Sequence, residues 1–159
     1  MLKQWFIILA ICLVALGAWA DKTESEPNDD RFSADGPITF NETLTGGLPG
    51  SYGGDSGFPQ DYWSFTGIDG NSYTFTATPQ NSSFIAPLDL AIDLENSSGS
   101  IIASRDVNGD HQPETLNWTC SANGTYYLVI YEATSTPNAI AWYTCSCQTV
   151  SSVDDWTLY

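Results

Sequence analysis

Between Glu24 and Asp29 the chain reads Glu-Ser-Glu-Pro-Asn-Asp, its densest run of side-chain oxygen donors. Glu24, Glu26 and Asn28 occupy alternate positions, so on an extended backbone their side chains project to one side. Pro27 biases Glu26 toward that extended form, and Asp29 offers one more oxygen from the turn that follows. Carboxylates joined by an amide oxygen suit a hard cation such as calcium, which takes about six to eight oxygens at about 2.3 to 2.6 Å. The competing reading is a solvated acidic segment, the commonest fate of a charge run.

Three other constellations invite chemistry and carry less. Asp106-Val107-Asn108-Gly109-Asp110 has the alternating oxygens of an EF-hand loop, but His111 stands where glycine is required and Asn117 where the bidentate glutamate belongs. It is expected to be a hairpin loop with exposed acids. Gly54-Asp55-Ser56-Gly57 imitates the nucleophile signature of serine proteases. A general base is missing from the required order, because the single histidine, His111, follows Ser56. Cys145 and Cys147 stand two apart in a strand-like stretch, face the same way and would form a strained bond with each other. A disulfide from Cys120 to Cys145 or Cys147 is therefore expected, with one thiol left over. A zinc site of these cysteines with His111 lacks the usual short Cys spacing.

The elements that must position these residues are strands. Asp61 to Thr66 alternates, with Asp61, Trp63 and Phe65 on one face; Ser72 to Thr78 turns Tyr73, Phe75 and Ala77 inward. Pro87 to Leu94 puts Leu88, Leu90, Ile92 and Leu94 inward, with Asp89 and Asp93 outward. Further strands are read at Ser100 to Ser104, Leu116 to Cys120, Thr125 to Tyr131 and Ala141 to Cys147. Asp69-Gly70 and Asn96 to Gly99 are turns, and Asn123-Gly124 makes a hairpin. Gly46 to Phe58 reads as a long loop and Gln148 to Tyr159 as a polar tail with a possible short strand at Trp156 to Tyr159. Short alternating strands between turn residues indicate an all-β fold: a single antiparallel β-sandwich, jelly-roll-like.

Composition narrows the function. Acids outnumber bases 19 to 4 in 159 residues, for a net charge of −15, and the four bases are scattered singly, which argues against a nucleic-acid partner. Hydrophobic residues at 42% and aromatics at 13% provide a core that an acidic disordered chain lacks. One histidine excludes catalysis by a histidine pair. Residues 1 to 20 read as a secretory signal peptide: Lys3, an apolar run from Trp5 to Leu16, and Ala18-Trp19-Ala20 before cleavage at Asp21. The uncharged stretch from Trp5 to Ala20 is 16 residues, shorter than the roughly 20 of a membrane span, and Ile11 before Cys12 breaks a lipobox. The expected product is secreted, extracellular or periplasmic, with no membrane span in the mature chain.

Taken in order, Glu24-Ser25-Glu26-Pro27-Asn28-Asp29, Asp61-Tyr62-Trp63-Ser64-Phe65, Leu88-Asp89-Leu90, Gly124-Thr125-Tyr126-Tyr127-Leu128 and a final Tyr143-x-Cys-x-Cys strand resemble the bacterial pre-peptidase C-terminal domain over about residues 24 to 147. That family comprises secreted, non-catalytic β-sandwiches appended to extracellular hydrolases, including the collagen-binding domains of clostridial collagenases; this chain carries no peptidase. The resemblance implies a calcium site built from Glu24, Glu26, Asn28 and Asp29 with Asp61 at the start of the Asp-Tyr strand. Relatives often carry another acid before that aspartate; Pro59 and Gln60 stand there instead, and Asp55 is the candidate substitute. It also implies that Tyr126, Leu128 and Ile130 face inward and Tyr127, Val129 and Tyr131 outward, a row able to stack on sugar rings or pack on an extended polypeptide unless the tail, for example Trp156, covers it. The function expected is a calcium-binding module attached to an extracellular polysaccharide, fibrous protein or partner protein. The alternative is a structural or chaperone-like accessory domain with no ligand beyond the ion.

Overall fold

The computed structural model describes residues 21–48, 60–80, 89–133 and 141–150. They form nine strands: β1 Asp21–Thr23, β2 Glu42–Leu48, β3 Gln60–Gly67, β4 Ser72–Pro79, β5 Leu90–Asn96, β6 Ile101–Arg105, β7 Glu114–Thr119, β8 Gly124–Glu132 and β9 Ala141–Val150. Sheet A has the order β1-β2-β9-β4-β7 and sheet B the order β3-β8-β5-β6. Every named pair is antiparallel except β1 with β2. The fold is an all-β sandwich, as the alternation predicts. Among the described residues no helix is long and apolar enough to cross a membrane.

The inward faces follow the period of two. Trp63 and Phe65 of β3, Tyr73, Phe75 and Ala77 of β4, Leu90, Ile92 and Leu94 of β5, and Leu128 and Ile130 of β8 form one core with Leu44, Tyr143 and Cys145. At one end Phe40, Phe65, Tyr73, Trp118 and Tyr126 pack ring on ring, with centroids as close as 4.7 Å for Phe40 and Tyr73. Toward the other end the Trp63 indole Nε1 donates to the Tyr143 hydroxyl at 2.9 Å, joining the sheets through the core.

Several connections differ from expectation because sheet partners are chosen over long range. The Asn123-Gly124 turn does not close a hairpin: β7 pairs with β4 in sheet A, and β8 lies between β3 and β5 in sheet B. The Asp69 amide donates to Asn123 Oδ1 at 2.8 Å and the Gly70 amide to Cys120 O at 2.9 Å, so two sheet-to-sheet corners are tied together there. The loop after Asp106 likewise crosses from β6 to β7 between the sheets, with its acids exposed. Gly46, Gly47 and Leu48 belong to β2 rather than to a loop, and β9 runs three residues past Cys147, where Gln148, Thr149 and Val150 pair with Thr74, Tyr73 and Ser72. Leu88, residues 49–59 and Trp156 lie outside the described residues.

The expected disulfide is absent: Cys120, Cys145 and Cys147 are all free and buried. Strand register gives the reason. Cys120 is level with Asn71, to whose carbonyl its amide donates, whereas Cys147 is level with Phe75 on the opposite side of β4. Four residues of strand separate them by about 13 Å along the sheet, well past the roughly 7 Å Cα limit for a bridge.

Candidate metal centre

The acidic segment lies where the chain passes from the edge of one sheet to the edge of the other. After β1 pairs with β2, the Glu24 amide donates to Thr45 O at 3.0 Å. A few residues later the chain lies along the free edge of β3: the Tyr62 amide donates to Asn28 O at 3.0 Å, the Asp35 amide to Tyr62 O at 2.9 Å, and the Ser64 amide to Asp35 O at 2.6 Å. This covers an edge that would otherwise present unpaired backbone groups. It also brings Glu24, Glu26 and Asn28 against the first inward residue of β3, Asp61.

Carboxylate oxygens of Glu24, Glu26 and Asp61 lie within 4.8 Å of one another. Oxygens bound to one calcium at about 2.3 to 2.6 Å are at most about 5 Å apart, so this spacing fits a single ion. Asp61 and Asn28 are fully buried, and Glu26 keeps the site open to solvent. Glu24 Oε2, Asn28 Oδ1 and both oxygens of Asp61 are buried with no hydrogen-bond partner. Such groups are costly unless something compensates them, and here they converge.

Each ligand is held by a local device. The Gly47 amide donates to Glu24 Oε1 at 2.5 Å, which leaves Oε2 for the site. Asp35 Oδ2 accepts from the Ser25 amide at 2.6 Å and from Asn28 Nδ2 at 3.4 Å. A carboxylate only accepts, so the Asn28 amide must turn its nitrogen to Asp35 and its oxygen inward. The Asn28 amide N–H donates to Glu26 Oε2 at 3.3 Å. Gly46 forms the floor: a Cβ there would lie 2.2 Å from the Tyr143 hydroxyl and 2.6 Å from Glu24 Oε2.

Burial, reinforced by the neighbouring Glu24 and Glu26, pushes the Asp61 carboxyl up to about 9; the nearby Tyr143 hydroxyl favours the charged form and is outweighed. Burial also raises Glu26, with Glu24, Asp29 and Asp35 adding repulsion. Burial, together with the charge of Asp61, pushes the Tyr143 phenol well above its ordinary value.

Of the residues named from sequence, Glu24, Glu26, Asn28 and Asp61 come together. The Asp29 side chain is exposed and outside the group, its carbonyl instead accepting from Gln60 Nε2 at 3.2 Å. Asp55 lies outside the described residues. Sequence reasoning missed Asp35, Tyr143, Gly46 and Gly47. The glycine pair was the available signal, since glycine within an alternating strand marks a close approach.

The outward tyrosines sit on sheet B. Tyr126, Leu128 and Ile130 point inward as expected; Tyr127 and Tyr131 point outward but are half-buried, and Val129 between them is buried. Acids interleave with this row: the Tyr62 hydroxyl donates to Glu95 Oε1 at 3.2 Å, and Asp93, which accepts from Ser104 Oγ at 2.6 Å, neighbours Tyr131.

No family model matches the sequence, and no curated protein matches it. Among solved structures the chain is similar to the pre-peptidase C-terminal domain of a collagenase from Bacillus anthracis, at TM-score 0.50 and 16% identity, over 82% of this chain and 97% of that one. It is also similar to PliG of Aeromonas hydrophila, a periplasmic inhibitor of g-type lysozyme, at TM-score 0.48 and 14% identity, over 82% of this chain and 100% of that one. The first likeness establishes the fold as that of the domain which the ordered motifs resemble.

Proposed function

We propose that this protein is a secreted, non-catalytic β-sandwich module that binds calcium structurally and attaches to an extracellular polymer or a partner protein. One observation carries the calcium reading: carboxylate oxygens of Glu24, Glu26 and Asp61 cluster, with buried oxygens of Glu24 and Asp61 lacking partners, and the buried, unpartnered Asn28 Oδ1 belongs to the residue whose backbone N–H bonds Glu26. A divalent cation compensates them at once. Calcium suits the site better than magnesium, which demands near-ideal octahedral geometry and whose waters leave reluctantly. Secretion is inferred from the leader pattern of residues 1 to 20. Attachment is supported by the kinship in fold with a domain carried by a collagenase, an enzyme of a fibrous polymer.

Thermal unfolding tests the ion. At a free concentration about 100 times the dissociation constant, a cation that binds only the folded chain adds roughly 2.7 kcal/mol, or about 8 to 10 °C in a domain of this size. Calcium should give this rise and magnesium much less. Glu26→Ala should remove most of it, and Asp110→Ala, in the exposed loop beyond β6, should leave it. Identical melting curves in calcium and in chelator would refute the site. Equal loss in both variants would mean diffuse charge screening.

A further inference from the structure

The outer face of sheet A carries no charged side chain across β2, β9, β4 and β7, in a chain with 19 acids. It is a carpet of short hydroxyl side chains in register. One row crosses all four strands as Thr43, Ser146, Thr76 and Thr115. Cross-strand bonds tie neighbouring side chains of the carpet together: Thr76 Oγ1 and Thr115 Oγ1 are 3.1 Å apart, and Thr74 Oγ1 donates to Asn117 Oδ1 at 2.8 Å. At one end Trp142 is 47% exposed and its ring lies over Gly47, where an added Cβ would be 2.9 Å from indole carbons. Among the described residues the nearest charge on this face is Asp21, at its rim on β1. The opposite face, on sheet B, carries Asp93 and Glu95 among its tyrosines.

We infer that this neutral face of sheet A is a docking surface for an uncharged polysaccharide, with Trp142 as its stacking platform. The inference rests on the attachment reading and moves the binding face away from Tyr127 and Tyr131. Exposed sheet positions are ordinarily where charges go, and here all were kept off one face while the protein became strongly acidic elsewhere. The partner matching such a face is neutral; a polyanion is repelled by the net charge, and so is a second copy of the chain. Each threonine presents a methyl and a hydroxyl, and those that make one cross-strand bond, such as Thr76 and Thr115, keep bonding capacity beyond it. Sugar rings present the same alternation of C–H faces and hydroxyls. The grid repeats at about 4.8 Å across strands and about 6.7 Å along them, and β9 carries it about 27 Å from Trp142 to Val150. The twist of a sheet excludes registry with a flat crystal lattice over four strands, but a flexible chain can follow it.

Affinity electrophoresis of the full chain, with calcium present, through gels containing mixed-linkage β-glucan, xyloglucan, galactomannan or alginate, together with pull-down on cellulose, chitin and fibrillar collagen, tests the inference. At least one neutral polysaccharide should retain the protein and alginate should not. Trp142→Ala and, independently, Gln148→Lys, an exposed position on the same face, should each weaken retention about tenfold with the calcium-dependent melting rise intact; Tyr127→Ala and Tyr131→Ala should not. Retention by collagen or alginate alone, or retention lost through the tyrosines and not through sheet A, overturns this inference while leaving attachment standing. Retention by no polymer overturns both. A dimer in sedimentation that Trp142→Ala dissociates assigns the face to self-association and overturns it as well.

Discussion

Asp61 is a carboxyl with no exposure and two acidic neighbours, and its protonation follows from that placement. Without a cation it keeps its proton until the pH approaches about 9, whereas in the unfolded chain an aspartate loses it near about 3.9. Between those values the folded state holds a proton that the unfolded state does not, so stability falls as pH rises. The contribution is whole below about pH 4 and is lost progressively toward pH 9. A cation replaces that proton, so calcium should bind more tightly, and release more than zero protons, as pH rises across the same window. Melting in chelator and in calcium at pH 5, 6.5 and 8 should therefore diverge, with the largest calcium increment at pH 8. Asp61→Asn should remove the divergence while raising the melting temperature in chelator. A constant increment across the three pH values would mean that Asp61 is not the ligand that titrates.

At the scale of elements, the centre depends on how closely β2 and β9 approach. Gly46 of β2 is opposite Tyr143 of β9, and the two side-chain oxygens nearest its Cα direction belong to Tyr143 and Glu24. Gly46→Ala must displace one or both, at the roughly 1 to 3 kcal/mol typical of overpacking. The expected result is a lower melting temperature with and without calcium, and a smaller difference between them because Glu24 is pushed from its seat on the Gly47 amide. Gly109→Ala, in the loop between β6 and β7 with nothing within 4 Å of an added Cβ, is the matched control and should change neither. Differential scanning calorimetry of the two variants decides the point. A Gly46→Ala protein with an unchanged calcium increment would mean that Glu24 is not positioned from this strand.

Over the whole molecule, stability comes from one continuous core between two sheets rather than from a crosslink. Cys120 lies at the corner where β7 turns toward β8, and Cys145 and Cys147 point inward from the middle of β9. Alkylation under non-reducing conditions should modify all three thiols in denaturant and none in the folded protein. A mass two units lower than the reduced chain, with a Cys120 peptide linked to either of the others, would contradict this arrangement. The charge distribution also belongs to this scale: acids gather at the candidate metal centre, in the loop after β6 and on sheet B, and the outer face of sheet A has none on β2, β9, β4 and β7.

What the sequence determined by itself was local. Alternation in Ser72 to Thr78 assigned the correct inward face, because a pleated strand turns successive side chains to opposite sides whatever its neighbours are; in Thr125 to Tyr131, where nearly every residue is apolar, the inward face came from the family resemblance. The Glu-x-Glu-x-Asn run marked three donors by residue type, although β1 ends at Thr23 and the chain bends at Glu26, so strand alternation is not what brings them together; the motif order pointed to the sandwich. Tertiary structure decided everything that depends on which strands become neighbours. Residues far apart in the chain meet only after sheet partners and register are chosen, and a single strand's period carries neither. So Asp35 as the group that orients Asn28, Gly46 and Gly47 as the floor beneath Glu24, Tyr143 beside Asp61, the separation of Cys120 from Cys147, and the uncharged carpet assembled from four separate strands became readable only in the folded chain.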